Sequence, residues 1–282
     1  MSEMIPILSI CIPTYNQTKY LVKTLDSILN QSFQDFELII TDDSTNADVE
    51  DLIVSFQKNS ILPITYYKNN PSLGSPDNWN FAISKARGKW IKIMHHDDWF
   101  CENEALAKMM QVAQLNPNSL VFSGIKGEII AENRAYTNLP DFRQVDVIKS
   151  DPFRLIWSNI VGPPSTILFP KTEVCFDAHL IWLVDIEFYL QLLLHKKYNL
   201  VYLEEVLFEN QPDDHNITNQ CFQNKAIEIN EFNYIFNKYF PKASLNERFQ
   251  FIQRLKKHIQ TYSKVNLLEL FYYNFIKYKK LL

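Results

Sequence analysis

The chain has 282 residues, 46% of them hydrophobic and 21% charged, so it can bury a substantial core as a globular protein. Its formal net charge of −4 argues against nucleic acid as the principal partner, because duplex binders are markedly basic. Cys11, Cys101, Cys175 and Cys221 are far apart with no C-x-x-C pair, which supports neither a structural zinc nor a disulfide framework. With an N-terminus that lacks a basic and apolar leader, this predicts the reducing cytoplasm. No apolar run is long enough to span a bilayer.

Ile7 to Pro13 is a short β-branched apolar run, read as a buried strand that stops at the turn-rich Pro13-Thr14-Tyr15-Asn16. A helix is predicted from about Lys19 to Asn30. Phe36 to Thr41 is a second buried strand, ending in Asp42-Asp43-Ser44-Thr45. Val49, Ile53 and Phe56 give Ala47 to Gln57 helical spacing. Ile64 to Lys68 reads as a third strand, followed by a loop from Asn69 to Gly74 and a helix from about Pro76 to Ala86. Trp90 to Met94 is a fourth strand. The alternation implies a mostly parallel, Rossmann-like α/β sheet flanked by helices.

The second half is less regular. Glu102 to Asn116 reads as a helix and Leu120 to Gly124 as a strand, while Ala131 to Ser150 is polar and loop-like. A short helix is expected over Pro152 to Ser158. Gly162-Pro163-Pro164 breaks the chain before a strand at Ser165 to Phe169. The Trp182 to Leu194 stretch reads as a buried helix beginning near Asp185, Leu200 to Phe208 as a strand, and the chain from Asn219 onward as mostly helical.

The fourth strand ends in His95-His96-Asp97-Asp98. In open α/β sheets, ligands bind beyond the carboxyl ends of the strands. Two carboxylates delivered there suit a hard divalent ion such as Mg²⁺ or Mn²⁺ that shares its remaining positions with phosphates. The bland alternative is that Asp97 or Asp98 caps the following helix. The two histidines do not make a zinc pair, since neighbours on a strand face opposite ways. There is no G-x-G-x-x-G after the first strand and no G-x-x-x-x-G-K-[ST], which disfavours a dinucleotide-dependent dehydrogenase and a P-loop NTPase.

Taken in order, Pro13-Thr14-Tyr15-Asn16, Asp42-Asp43-Ser44-Thr45, Asn70 with Gly74 and Asn78, Gly88, and His95-His96-Asp97-Asp98 resemble the inverting family 2 glycosyltransferases of GT-A fold. The similarity runs from about Ile7 to His215 and is densest over the first hundred residues. It implies a catalytic domain over 1–215, with a nucleotide-binding half over 1–100 and an acceptor half over 101–215, and a helical C-terminal region over 216–282. The resemblance implies that Pro13, Thr14, Tyr15, Asn16, Asp42, Asp43, Asn70, Gly74, Asn78, His96 and Asp97 bind the nucleotide, expected as UDP. Asp97, Asp98 and His215 would hold Mn²⁺ or Mg²⁺, and Asp185 would be the catalytic base. Two departures stand out: His95 replaces the first Asp of the family's Asp-x-Asp element, and Val184 replaces the Glu of its Glu-Asp element.

The reaction so implied moves a sugar from a nucleotide-diphosphate donor to a hydroxyl of a glycan or lipid-linked acceptor. Trp157, Pro164, Ser165 and Trp182 are the expected acceptor wall. Basic residues from Arg254 to Lys280, interleaved with apolar and aromatic ones from Phe251 to Tyr278, fit a helix packed on the domain or one lying on a membrane surface, packing being preferred for the earlier helix. A sugar nucleotidyltransferase is a competing reading, although it normally carries a Gly-rich phosphate loop after the first strand. A non-catalytic nucleotide-sugar or glycan-binding module is another, suggested by His95 and Val184.

Overall fold

A computed structural model describes residues 5–59, 64–129, 134–211, 221 and 224–259. The first hundred residues alternate β1 (Leu8–Thr14), α1 (Lys19–Leu29), β2 (Phe36–Asp42), α2 (Asp48–Asn59), β3 (Ile64–Lys68), α3 (Asp77–Lys85) and β4 (Trp90–Ile93). All seven residues of β1 and of β2 are buried, as expected for parallel strands covered on both faces. Helix α1 follows the amphipathic rule, burying Tyr20, Leu21, Thr24, Leu25 and Ile28. Each such fully buried Leu or Ile contributes roughly 1.5–3 kcal/mol of transfer free energy.

The remaining elements are β5 (Asp98–Phe100), α4 (Ala105–Leu115), β6 (Ser119–Ile129), β7 (Arg134–Asn138), α5 (Phe142–Ser150), β8 (Ile167–Pro170), α6 (Val184–Leu190), β9 (Asn199–Asn210), α7 (Lys225–Tyr239) and α8 (Leu245–Ile259). The strands form one sheet in the order β3-β2-β1-β4-β8-β6-β9-β5, with β7 paired to β6. Strands β3, β2, β1 and β4 run parallel. Strand β8 is antiparallel to both β4 and β6, and β5 is antiparallel to β9. Only residues 94–97 separate β4 from β5, yet β5 pairs at the far end of this half. The sheet therefore curls back on itself, and the His95–Asp98 turn closes the curl.

Apolar side chains form a cluster on each face. Leu8, Ile10 and Ile12 lie in one, while Cys11 joins the other with Phe188 and Tyr189. Phe232, Phe236, Ile252 and Leu255 of α7 and α8 belong to that second cluster, so the described C-terminal helices pack onto the sheet. Gly88 precedes β4 where nothing larger fits, since a Cβ there would lie 2.6 Å from the backbone of Leu8 and Ser9.

Several expectations are corrected. The stretch read as a loop over 131–150 holds β7 and α5. Strand β7 is a polar edge strand, and α5 is opened by a capping box in which Asp141 accepts from the Gln144 backbone N–H and Gln144 accepts from that of Asp141. Neither Asp97 nor Asp98 caps α4, whose N-terminus carries no side-chain cap, because Asp98 opens β5 instead. The second half of the sheet is mixed, with β5, β7 and β8 antiparallel to their neighbours. The run after Pro152 is a 3₁₀ turn over Pro152–Ile156.

Candidate active site

Strand β1 lies between β2 and β4, and its register pairs Thr14 with Asp42 and Cys11 with Ile93. The carboxyl ends of all three strands therefore share one edge, bringing Tyr15 and Asp43 alongside the His95–Asp98 turn. Asn16 takes a left-handed backbone (φ 50°), which Asn tolerates better than most residues. It joins the two loops: its N–H donates to Ser44 Oγ at 2.7 Å, and its Oδ1 accepts from the Thr45 N–H at 2.9 Å. Tyr15 is 55% exposed, so its ring is available to a planar ligand.

The two aspartates of β2 play different parts. Asp42 is fully buried and takes internal donors on both oxygens: Thr14, the Ser44 hydroxyl and the Ser44 N–H on one, Tyr66 at 2.7 Å and Lys68 at 2.8 Å on the other. The nucleotide contact expected of Asp42 is corrected: this carboxylate braces the strand end. Asp43 holds the following loop, accepting from the Asn69 amide at 2.7 Å, the Leu73 N–H at 3.1 Å and the Gly74 N–H at 2.7 Å. Asn78 is also inward-facing, donating to the carbonyls of Thr14 and Thr41 and accepting from Asn69. Asn70 is exposed on the same loop.

His95, Asp97 and Asp98 gather at the turn, each offering one ligand atom within 4.8 Å of the others. His95 Nδ1 lies 3.9 Å from Asp98 Oδ2. Helix α1 fixes the turn, for the Thr24 hydroxyl sits 3.0 Å from the His96 carbonyl and 2.9 Å from that of Asp98. Asp98 Oδ2 and His95 Nε2 are buried without a hydrogen-bond partner among the described residues. A buried carboxylate oxygen left unmatched is costly, and a hard cation answers it. Burial, then the neighbouring Asp97, pushes the Asp98 carboxyl well up, and burial lowers His95 to about 4, leaving a neutral imidazole fit to be a ligand. The residues present thus fit a divalent ion. His215, the third expected ligand, lies outside the described residues, and His95 occupies the third position in the cluster.

Two further residues build this cradle. Ser165 is fully buried; its hydroxyl accepts the His95 N–H at 2.9 Å and hydrogen-bonds the Asp98 carboxyl. Lys92 is fully buried in β4, donating to the carbonyls of Ser165 and Ile167, with its ammonium 3.9 Å from the Phe208 ring centroid. Burial pushes this amine well below its usual range, while Asp98 opposes the shift. A lysine inside Trp90-Ile91-Lys92-Ile93 was a legible signal that something polar lay beside that strand.

Asp185 sits in the first turn of α6, where a helix N-terminus favours a carboxylate. It accepts from the Asn159 amide at 3.0 Å on Oδ2 and from the Ile186 N–H at 2.8 Å on Oδ1. Burial nevertheless raises it to about 7, against these hydrogen bonds. Buried Tyr189 donates to the Gly162 carbonyl at 2.9 Å, and burial, then the charges of Asp185 and Asp98, raise its hydroxyl well above the usual range. Gly162 makes the turn that presents Asn159: its φ is +91°, and its N–H donates to Asn159 Oδ1 at 3.0 Å. Ahead of the helix, Glu231 of α7 accepts from the backbone N–H groups of Ile181, Trp182 and Leu183. Neither Asn159 nor Glu231 carries a sequence signal, since each reaches its partner across a gap in sequence.

The expected acceptor wall is corrected in part. Pro164 and Ser165 are buried, so they support the site from beneath. Trp157 is half-buried with its ring stacked on Phe232 and under the Arg254 guanidinium, which leaves little of its face for a sugar. Trp182 is half-buried and edge-on to Phe232.

Against this geometry, the sequence profile described as Glycosyl transferase family 2 matches residues 9–172, more than half of the chain. The chain belongs to glycosyl transferase family 2. Among curated relatives of this family, an uncharacterized glycosyltransferase of Haemophilus influenzae is 27% identical over 165 residues, covering 58% of this chain and 53% of that protein. The GalNAc(5)-diNAcBac-PP-undecaprenol beta-1,3-glucosyltransferase of Campylobacter jejuni is 32% identical over 108 residues, covering 38% of this chain and 35% of that one. The chain spans only 18% of an uncharacterized glycosyltransferase of Rickettsia bellii. Two solved structures share the fold. Staphylococcus aureus TarS 1-349 in complex with UDP-GlcNAc superposes with TM-score 0.59 at 17% identity, covering 91% of this chain and 81% of that one. The mannosyltransferase PcManGT of Pyrobaculum calidifontis, in complex with GDP-Man and Mn²⁺, gives TM-score 0.59 at 13% identity, covering 95% and 79%. The GT-A architecture expected from the strand-end motifs is thereby established.

Proposed function

We propose that this family 2 member is an inverting glycosyltransferase, moving a sugar from a nucleotide-diphosphate donor, UDP-linked, to a hydroxyl of a glycan or lipid-linked acceptor. The observation that carries the reading is the buried, unpartnered Asp98 Oδ2 beside Asp97 and His95, on the same sheet edge as Tyr15 and Asp43. The names of relatives point the same way: one acts on a diphosphate-undecaprenol-linked glycan, and structural neighbours hold UDP-GlcNAc, or GDP-Man with Mn²⁺.

In this reading Tyr15 stacks on the base, and Asp43 accepts from its imide when the 69–74 loop yields one of the carboxylate's bonds. Asp97, Asp98 and His95 would hold Mn²⁺ or Mg²⁺, which when bound neutralises negative charge on a departing diphosphate as a Lewis acid. Asp185 takes the proton of the acceptor hydroxyl as the new O–C1 bond forms and the C1–O bond to the diphosphate breaks. The sugar inverts in that single displacement, and no covalent enzyme intermediate is needed. A positioned base typically supplies about 10²–10⁴-fold. Burial suits Asp185 to the task, because a carboxyl titrating near 7 is a stronger base than an ordinary one.

Residues 1–100 read as the donor half and 101–215 as the acceptor half; of the region expected to be helical over 216–282, the described part holds α7 and α8, and the remainder lies outside the described residues. No described helix is long and apolar enough to cross a membrane. A cytoplasmic location with peripheral contact at the inner face suits a lipid-linked acceptor; the first part of the basic aromatic stretch lies in α8, whose Phe251 and Leu255 are buried in the core, and the rest, from residue 260 onward, lies outside the described residues. A thermal-stabilisation screen of nucleotide sugars with Mn²⁺ tests the reading. Stabilisation by a UDP-sugar, lost in Asp98→Asn, is expected, and no stabilisation by any nucleotide sugar would refute it.

A further inference from the structure

A cavity of about 370 Å³ opens between α5, the 3₁₀ turn after it and α8. Its wall carries three guanidiniums, those of Arg143, Arg154 and Arg254, interleaved with Val147, Trp157 and Ile160. Asp141 also lines the wall, accepting from the Gln144 N–H at the start of α5, and Asp151 pairs with Arg154 at 3.1 Å, so the three guanidiniums outnumber the two carboxylates. Among the described residues, Arg143 and Arg254 have no carboxylate partner. Arg254 instead lies 4.7 Å over the Trp157 ring, where burial and then the charge of Arg154 work against its own cation and the charge of Asp151 partly offsets them.

Unmatched cations gathered around a concave, partly apolar wall define the sign of the ligand. A guanidinium presents its donors as a planar fork that fits phosphate or carboxylate oxygens two at a time. Two unmatched forks call for a dianion, which a phosphoryl group supplies and one carboxylate does not. The cavity also connects to the proposed base through the chain. Ser158 and Ile160 line it, and Asn159 between them donates to Asp185.

We propose that the Arg143–Arg254 cavity binds the phosphate or diphosphate group of the acceptor. The inference rests on the glycosyltransferase reading for the word acceptor, but the anion site itself does not. An acceptor held there by its phosphoryl group would lie against the same three-residue segment that orients the base.

The test is calorimetric titration of the full chain with inorganic pyrophosphate in EDTA, so that no cation supports the donor site. Wild type and Asp97→Asn should bind alike, while Arg143→Gln/Arg254→Gln should bind roughly tenfold more weakly or worse, as loss of charge-assisted forks implies. Arg143→Gln alone, an exposed change on α5, should show the same direction without touching Trp157. Equal binding by wild type and the double variant, or binding lost in Asp97→Asn and kept in the double variant, overturns the proposal. A second arm compares transfer to one glycan presented as a diphosphate-linked acceptor and as a neutral glycoside. KM rising roughly tenfold more for the linked form assigns the cavity to the acceptor, and equal rises assign it to free phosphate. If no sugar is transferred to either, the glycosyltransferase reading falls while the pyrophosphate result still decides the cavity.

Discussion

The side-chain amide of Asn159 donates to Asp185 Oδ2 at 3.0 Å and the Ile186 N–H donates to Oδ1 at 2.8 Å, so both oxygens of the proposed base are oriented by the protein. These hydrogen bonds favour the ionised carboxylate, whereas burial disfavours it, and burial wins. Asp185 is therefore active only above about 7, and kcat should fall tenfold per pH unit below that point. Asn159→Leu removes one of these opposing hydrogen bonds, so the acidic limb should move to higher pH. Asp185→Asn should retain donor binding and lose transfer by about 10²–10⁴-fold. The kcat profile from pH 5 to 9 checks all three.

The same titration has a consequence for stability. Asp185 is raised in the folded chain, so the fold holds its proton more tightly than the unfolded chain does. Stability contributed by the neutral form is full below the ordinary carboxylate range and is lost as pH rises towards about 7. Asp185→Asn should be more stable than wild type at pH 8 and lose that advantage by pH 4, as read by urea midpoints at the two pH values.

Ser165 supports the cation cradle through the His95 N–H and the Asp98 carboxyl. Groups that orient ligands in this way typically cost about 10–100-fold in metal affinity when removed. Ser165→Ala should weaken Mn²⁺ binding within that range while the far-ultraviolet circular dichroism spectrum is unchanged. A loss confined to acceptor KM would instead return Ser165 to the acceptor wall.

Glu231 gathers three successive N–H groups ahead of α6. Charge-assisted hydrogen bonds contribute about 1.5–3 kcal/mol each, and an amide placed there would turn a donor towards donors. Glu231→Gln should cost about 2 kcal/mol or more in chemical denaturation, and it should lower kcat more than donor affinity because it loosens the start of the helix that bears Asp185.

Gly88→Ala places a methyl 2.6 Å from β1 backbone, where no rotamer change gives relief. Strand β4 must shift relative to β1, which also moves the His95–Asp98 turn. A stability loss of about 1–3 kcal/mol is expected from such overpacking, with weakened Mn²⁺-dependent donor binding in the variant that remains folded.

Sequence was most legible where local chemistry repeats. β1 to β4 and their helices declare themselves through fully buried apolar runs and amphipathic spacing, and their polar ends mark one edge of a parallel sheet. It was least legible where pairing is distant. β5 is three residues long and is a strand only because Phe208 and its neighbours in β9 lie opposite. β7 is polar because it is an edge, and polarity reads as loop. α5 was readable through Asp141 and Gln144 but sat inside a polar stretch. At the site, chain order revealed His95 to Asp98 and Asp185. The inward duties of Asp42, Ser165 and Asn159 depend on partners far away in sequence, so no local pattern shows them.

The most direct measurement is calorimetric titration of UDP into wild type and Asp98→Asn, each with and without Mn²⁺. Wild type should bind UDP at least roughly tenfold more tightly with Mn²⁺, and Asp98→Asn, which removes one of the two proposed carboxylate ligands, should lose that gain. UDP affinity that ignores both Mn²⁺ and the substitution would contradict the account.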